Sequence, residues 1–265
     1  MKVGFIGAGN MGGAIAKAVS RCAAKPEILI ADYSAEKAAA MAAEVGGHVT
    51  DNLGAVKGCD YVFLGVKPQV LGSVLTQIAP AAAEKKTRTV FISMAAGVTM
   101  ETILNVLGMD SALIRIMPNT PVSVGSGMIL YDCSASVTAE EEKTFLSIME
   151  QSGKVDRLPE HLIDAGCAVS GCGPAFAFLF AEALADGGVT CGLPRGKAVE
   201  YAAQMLYGAA DLLRQSGKHP GALKDAVCSP GGSTIRGVQA LEECGFRGAV
   251  IDAVIAAYER TRELG

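Results

Sequence analysis

Val3-Gly4-Phe5-Ile6-Gly7-Ala8-Gly9-Asn10-Met11-Gly12 is the stretch on which the fold turns. An apolar run of strand length enters a turn with glycines spaced Gly-x-Gly-x-x-Gly, and a helical pattern runs on from Met11 to Ala24. Glycine permits the tight turn and lets backbone approach a pyrophosphate, while N–H groups at the helix start hold an anion. Such spacing also arises by chance in a chain rich in Ala and Gly. Here it follows a strand and opens a helix, which is the context that makes it a dinucleotide-binding turn.

Working outward, the next strand candidate, Ile28–Ala31, ends at Asp32, about 20 residues past the last glycine, where a ribose-binding acid is expected. A carboxylate there accepts hydrogen bonds from ribose hydroxyls and repels a 2′-phosphate, and no Arg adjoins it, which favours NADH over NADPH. The other reading of Asp32 is as a cap for the following helix. Further strand candidates are Tyr61–Gly65, Thr89–Ile92 and Leu113–Met117, separated by helical patterns at Ala35–Val45, Gln69–Ala79 and Met100–Leu107. Alternating strands and helices predict a doubly wound parallel sheet of Rossmann type. Gly127–Tyr131 adds an edge strand, and Thr138 with Glu141 forms a capping box.

Beyond about residue 162 the pattern changes class. Helices alone are expected, at Pro174–Ala185, Pro194–Gln215, Leu223–Val227, Ser233–Glu243 and Phe246–Glu263, with Pro174 and Pro194 in first turns. The expected organisation is therefore an α/β dinucleotide-binding domain over 1–162 and an all-α domain over 163–265.

Composition narrows the class. Half of the 265 residues are apolar, and the mean hydropathy is positive, which predicts apolar surface buried between subunits. The net charge of −4 and the lack of a basic run give no footprint for nucleic acid. Eight cysteines form no Cys-x-x-Cys pair, and the three histidines are scattered, so no metal site is expected. The cysteines read as small buried residues of a reducing, cytoplasmic compartment. Ala165–Ala185 is nearly uncharged, but Gly171, Gly173 and Pro174 split it and Glu182 sits inside it. It reads as an interface helix rather than a membrane span of roughly 20 apolar residues.

Five later stretches complete the motif series. These are Val66-Lys67-Pro68-Gln69, Met94-Ala95-Ala96-Gly97, Arg115-Ile116-Met117-Pro118-Asn119-Thr120-Pro121, Val169-Ser170-Gly171-Cys172-Gly173-Pro174-Ala175 and Ser229-Pro230-Gly231-Gly232-Ser233-Thr234-Ile235. The last offers backbone N–H groups and two hydroxyls at a helix start, suited either to a small carboxylate or simply to capping its own helix. In order and spacing, from Val3 to about Glu243, the chain resembles the pyrroline-5-carboxylate reductases.

That resemblance implies reduction of 1-pyrroline-5-carboxylate to L-proline by NAD(P)H, with NADPH the commoner family choice. Asp32 departs from the small residue often found there, so residue chemistry and resemblance point to different cofactors. By carry-over, Ile6, Gly7, Ala8, Gly9, Asn10 and Met11 meet the pyrophosphate and Asn52 lies at the adenosine end. Gly65, Val66, Lys67, Pro68, Ala95, Ala96 and Gly97 flank the cofactor; Lys67 is either a cation on that side or an extension into solvent. Ser233 and Thr234, with Gly232 and Gly173, hold the substrate, and the Thr234 hydroxyl serves the imine nitrogen. Cys172, where the family often has Ser, reads as an inert thiol because no His or Lys adjoins it. The resemblance also implies a homodimer through the helical domain, with decamers among its larger assemblies.

Rivals remain from two classes. A β-hydroxyacid dehydrogenase of like architecture usually needs a Lys on the first helix of its second domain, and Pro174–Ala185 has none. A broader imine reductase leaves the same traces. A non-catalytic cofactor sensor shares the fold but has no need of Ser233 and Thr234.

Overall fold

The computed structural model describes residues 1–263; the last two residues of the expected helical domain lie outside them. The chain divides into two compact units: Met1–Cys172 together with the chain from Ala257 on, and Gly173–Ala256. This division lies beyond the expected boundary at 162. The reason is α7 (Glu160–Ser170), which buries Ile163 and Cys167 against Met117 and Leu130 of the first unit's sheet.

The sheet has eight strands: β1 (Lys2–Ile6), β2 (Glu27–Ala31), β3 (His48–Val49), β4 (Tyr61–Leu64), β5 (Val90–Ser93), β6 (Ala112–Met117), β7 (Gly127–Cys133) and β8 (Gly153–Arg157). Their order is β3-β2-β1-β4-β5-β6-β7-β8. The first six run parallel, β7 runs antiparallel to β6, and β8 runs parallel to β7. The expected doubly wound sheet is present, but Gly127–Tyr131 is not the edge strand, since β8 lies outside it. The intervening helices are α1 (Asn10–Ser20), α2 (Ala35–Val45), α3 (Asn52–Gly58), α4 (Pro68–Glu84), α5 (Met100–Leu107) and α6 (Ala139–Ile148).

Strands β4, β5 and β6 are buried along their whole length, as parallel strands covered on both faces must be. Side-chain alternation divides the core between the faces. Val3, Phe5, Phe63 and Ile92 join one cluster, with Phe5 and Phe63 stacked at 4.6 Å; Ile6, Val62, Leu64 and Phe91 join the other. Six cysteines are buried or half-buried, and burial pushes the Cys59 and Cys167 thiols up to about 11 and Cys133 up to about 12. These three thiols are therefore protonated and unreactive at neutral pH.

The second unit holds α8 (Gly173–Thr190), α9 (Arg195–Ser216), α10 (Pro220–Val227), α11 (Ser233–Glu243) and α12 (Phe246–Glu263) up to Ala256. Pro194 stands at the N-cap of α9, one place before the expected first turn. Helices α8 and α9 pack together through Ala185, Ala198 and Ala202. Large apolar side chains of this unit remain uncovered: Phe178 and Leu179 are each 67% exposed. A cavity of about 680 Å³ opens among α8, α11 and α12, floored by Phe180 and Phe246. A segment within Glu160–Thr190 is long and apolar enough to cross a membrane by length and composition, although α7 and α8 are separate helices broken at Gly171 and Cys172.

Candidate active site

Strands β1, β4 and β5 end along one edge of the sheet, where a doubly wound fold places its ligand. The first glycine turn is built by close approach. Gly7 donates its N–H to the Ala31 carbonyl at 2.8 Å and has φ +105°; a Cβ there would lie 2.6 Å from the Gly65 carbonyl oxygen. A Cβ at Gly12 would lie 2.2 Å from the Gly7 carbonyl oxygen. Gly9 differs, because a Cβ there meets nothing within 4 Å among the described residues. It is the N-cap of α1, no described side chain caps that helix, and its first turn carries no acid. The result is an open, positively polarised helix start with room for backbone to touch an anion.

A cleft of about 660 Å³ runs from this turn across the ends of β2 and β4. Of the residues expected at the cofactor, Ile6, Gly7, Gly9, Asp32, Asn52, Gly65, Val66 and Lys67 line it. Ala8, Asn10, Met11 and Pro68 adjoin these in the turn and at the starts of α1 and α4, outside the lining. Ala95, Ala96 and Gly97 lie in the loop after β5, also outside this cleft. Lys67 is the N-cap of α4 through its backbone, and its side chain caps nothing among the described residues.

Asp32 is held at both oxygens. Oδ2 accepts the Ala8 N–H at 2.7 Å and Oδ1 accepts the Ser34 N–H at 2.9 Å. The helix-cap reading of Asp32 does not stand, since α2 is capped by Ser34, whose hydroxyl accepts the Lys37 N–H. Asn52 begins α3 and donates to Gln77 Oε1 at 2.8 Å. Among the lining residues that sequence reasoning missed are Tyr33, Asp51 and Gln77. Tyr33 and Asp51 adjoin Asp32 and Asn52, so adjacency was the available signal. Gln77 is brought in only by the packing of α4 on α3.

The remaining expected residues belong to the second unit. Gly173 begins α8. Gly232 is the N-cap of α11, no described side chain caps that helix, and Gly231 before it has φ +68°. Ser233 and Thr234 are its first two residues and are exposed, and neither hydroxyl caps the helix. This removes the simple capping reading and leaves free N–H groups beside two hydroxyls.

Arg115 of the Arg-Ile-Met-Pro-Asn-Thr-Pro stretch is a buried anchor. Its side chain is 2% exposed and bonds Glu160 at 3.2 Å and Asp164 at 2.7 Å, while Nε has no partner among the described residues. Asn119 joins Ser170 of α7 to Met128 of β7, donating to one carbonyl at 2.8 Å and accepting one N–H at 2.9 Å.

Comparison with known proteins finds relatives that span nearly the whole chain. A family model described as pyrroline-5-carboxylate reductase dimerisation matches residues 160–264, and one described as NADP oxidoreductase, coenzyme F420-dependent, matches residues 2–97. The pyrroline-5-carboxylate reductase of Escherichia coli (strain K12) is 40% identical over 266 residues, covering 99% of this chain and 98% of the relative. Pyrroline-5-carboxylate reductase 3 of Danio rerio is 42% identical, covering 100% and 92%. Among solved structures, the Plasmodium falciparum pyrroline carboxylate reductase with NADP bound superposes with a TM-score of 0.89 at 30% identity, covering 100% and 98%.

Proposed function

This chain belongs to the pyrroline-5-carboxylate reductase family, and from that premise we propose how its own residues share the work. It is an NAD(P)H-dependent oxidoreductase acting on a C=N bond. When bound, the reduced nicotinamide supplies the hydride that converts 1-pyrroline-5-carboxylate to L-proline.

The open start of α1 and Gly9 take the pyrophosphate. The ends of β2 and α3, with Asp32 and Asn52, take the adenosine. Strand order supports this polarity, since β2 lies on one side of β1 while β4 and β5 lie on the other. The Ala95–Gly97 loop, at the end of β5, therefore flanks the nicotinamide end. Asp32 and Asp51 both line the adenosine end, and two carboxylates there support a preference for NADH over NADPH.

Ser233 and Thr234 grip the substrate, whose carboxylate suits the N–H groups opening α11. The Thr234 hydroxyl donates a hydrogen bond to the neutral imine nitrogen and accepts one from its N–H once protonated, so the chain orients an imine that is electrophilic in its protonated form. The uncovered apolar faces of α8 and α12 support a homodimer through the helical unit, and larger assemblies of such dimers up to a decamer. All eight cysteines are free, which supports a reducing, cytoplasmic setting, and dimer burial of α8 supports the absence of a membrane role. The observation that carries this reading is that α11 opens with no side-chain cap among the described residues and bears both hydroxyls in its first turn.

The test is the loss of absorbance from NADH and NADPH, in parallel, with racemic 1-pyrroline-5-carboxylate. Faster loss with NADH is expected. Folded protein that binds cofactor but consumes neither would overturn the substrate assignment.

A further inference from the structure

We infer that Glu160 is a positioning residue for the Ala95–Gly97 loop, and that buried Arg115 fixes Glu160 in that role. The inference rests on the proposal that this loop flanks the nicotinamide end of the cofactor.

The loop is short: its start is held against β4 and β5, and the backbone past its far end is held by α7. Ala95 is buried, and Ala96 packs on the cluster of Met117, Leu130, Ile163 and Cys167. Just past the loop, Met100 opens α5, and its N–H donates to Glu160 Oε1 at 2.6 Å. A helix start has N–H groups without intrahelical partners. Thr99 caps α5 by accepting the Thr102 N–H at 3.2 Å, and Glu160 takes a second donor of the first turn, which ties the start of α5 to α7.

Glu160 is itself pinned from three sides. Oε1 accepts Arg115 Nη1 at 3.2 Å, and its own N–H donates to Asp132 Oδ2 at 2.8 Å. Arg115 in turn reaches Asp164 one helical turn on, through Nη2 at 2.7 Å. Ser93, the last residue of β5, pairs in register with Arg115. An ion pair serving only to dock α7 would need no bond to α5. Here one carboxylate oxygen serves both Arg115 and the backbone N–H three residues past the cofactor-side loop.

The test compares calorimetric affinities for NADH and for ADP-ribose, which lacks the nicotinamide. Glu160→Ala is expected to raise the NADH dissociation constant about tenfold while that for ADP-ribose moves less than about twofold, because only the nicotinamide end is loosened. Glu160→Gln keeps an acceptor oxygen and is expected to restore NADH affinity to within about threefold of the parent.

A second pair stands if Glu160→Ala fails to fold. Met100→Pro deletes the donor at a first-turn position that accepts proline, after Thr99 in an extended conformation (φ −76°, ψ 157°). Met100→Ala makes a similar loss of packing but keeps the N–H. Weaker NADH binding in Met100→Pro than in Met100→Ala, with ADP-ribose equal, supports the inference. Equal losses for both ligands, or no difference between the two Met100 variants, overturn it. A parent that binds NADH no better than ADP-ribose removes the loop from the nicotinamide and overturns the inference too. A parent that favours NADH yet turns over no imine counts against the reaction instead.

Discussion

The Asp32 carboxylate accepts the Ala8 backbone N–H at 2.7 Å, which ties the end of β2 to the glycine turn after β1. The acid proposed at the ribose is thus also a strut for the turn proposed at the pyrophosphate. Substitutions at this residue therefore have two separable effects.

Asp32→Ser removes a negative charge and shortens the strut. The NADPH-to-NADH ratio of kcat/KM is expected to rise about tenfold, equivalent to roughly 1.4 kcal/mol. Stability should fall by about 1 kcal/mol, because the Ala8 N–H loses its acceptor. Asp32→Asn should shift the ratio likewise while losing less stability, as its amide oxygen still accepts. Parallel kinetics and thermal melts check both, and an unmoved ratio sinks the ribose assignment.

Two glycines of the same turn should respond in opposite ways. Gly12→Ala places a Cβ against the Gly7 carbonyl and should cost about 1–3 kcal/mol of stability. Gly9→Ala has space and an ordinary φ of −70°, so its stability should stay within about 1 kcal/mol of the parent. Its cofactor KM should nevertheless rise, since the methyl group occupies the approach to the pyrophosphate. A Gly9→Ala protein with unchanged KM would place the pyrophosphate elsewhere.

Thr234→Ala should lower kcat about 100-fold, the low end of what a positioned proton or hydrogen-bond donor contributes, with cofactor affinity unchanged. Thr234→Ser retains the hydroxyl and should recover most of the rate. Stopped-flow turnover beside cofactor titration separates the two, and full activity in Thr234→Ala removes the hydroxyl from the mechanism.

Phe178→Glu should convert the dimer to a monomer. The side chain is 67% exposed in one chain, and an unpaired carboxylate buried at an interface costs several kcal/mol. Sedimentation velocity reads the outcome directly; a mass equal to the parent's would move the interface off this face of α8.

Glycine punctuation made the first strand, turn and helix legible, because both the spacing and the apolar run are local signals. Short or polar elements were not. Strand β3 has two residues, His48 and Val49, too few for any periodicity. Strand β8 reads Gly-Lys-Val-Asp-Arg, with charges on either side of one Val, and is a strand only because β7 offers its edge. Helix α7 was hidden because its polar first half precedes the apolar stretch from Ala165 and its partner surface, on Met117 and Leu130, is far away in sequence. In the site, Asp32 was legible from its distance past the glycines, but its bond to Ala8 was not. That bond joins positions 24 apart in sequence and exists only once β1 and β2 pair.

The reversal at β7 has a consequence of parity. A right-handed parallel unit brings each helix back down the sheet, so a chain that kept to that rule would leave on the side away from the glycine turn. Here β7 and β8 descend instead, and α7 must climb, from Glu160 beside Arg115 to Ser170 beside Asn119. One reversed step thus chooses the rim from which the chain departs, and it is the rim where β1, β4 and β5 end. Removing β7 and β8 as a pair would spare the parallel sheet, yet send the next helix off from the opposite shore.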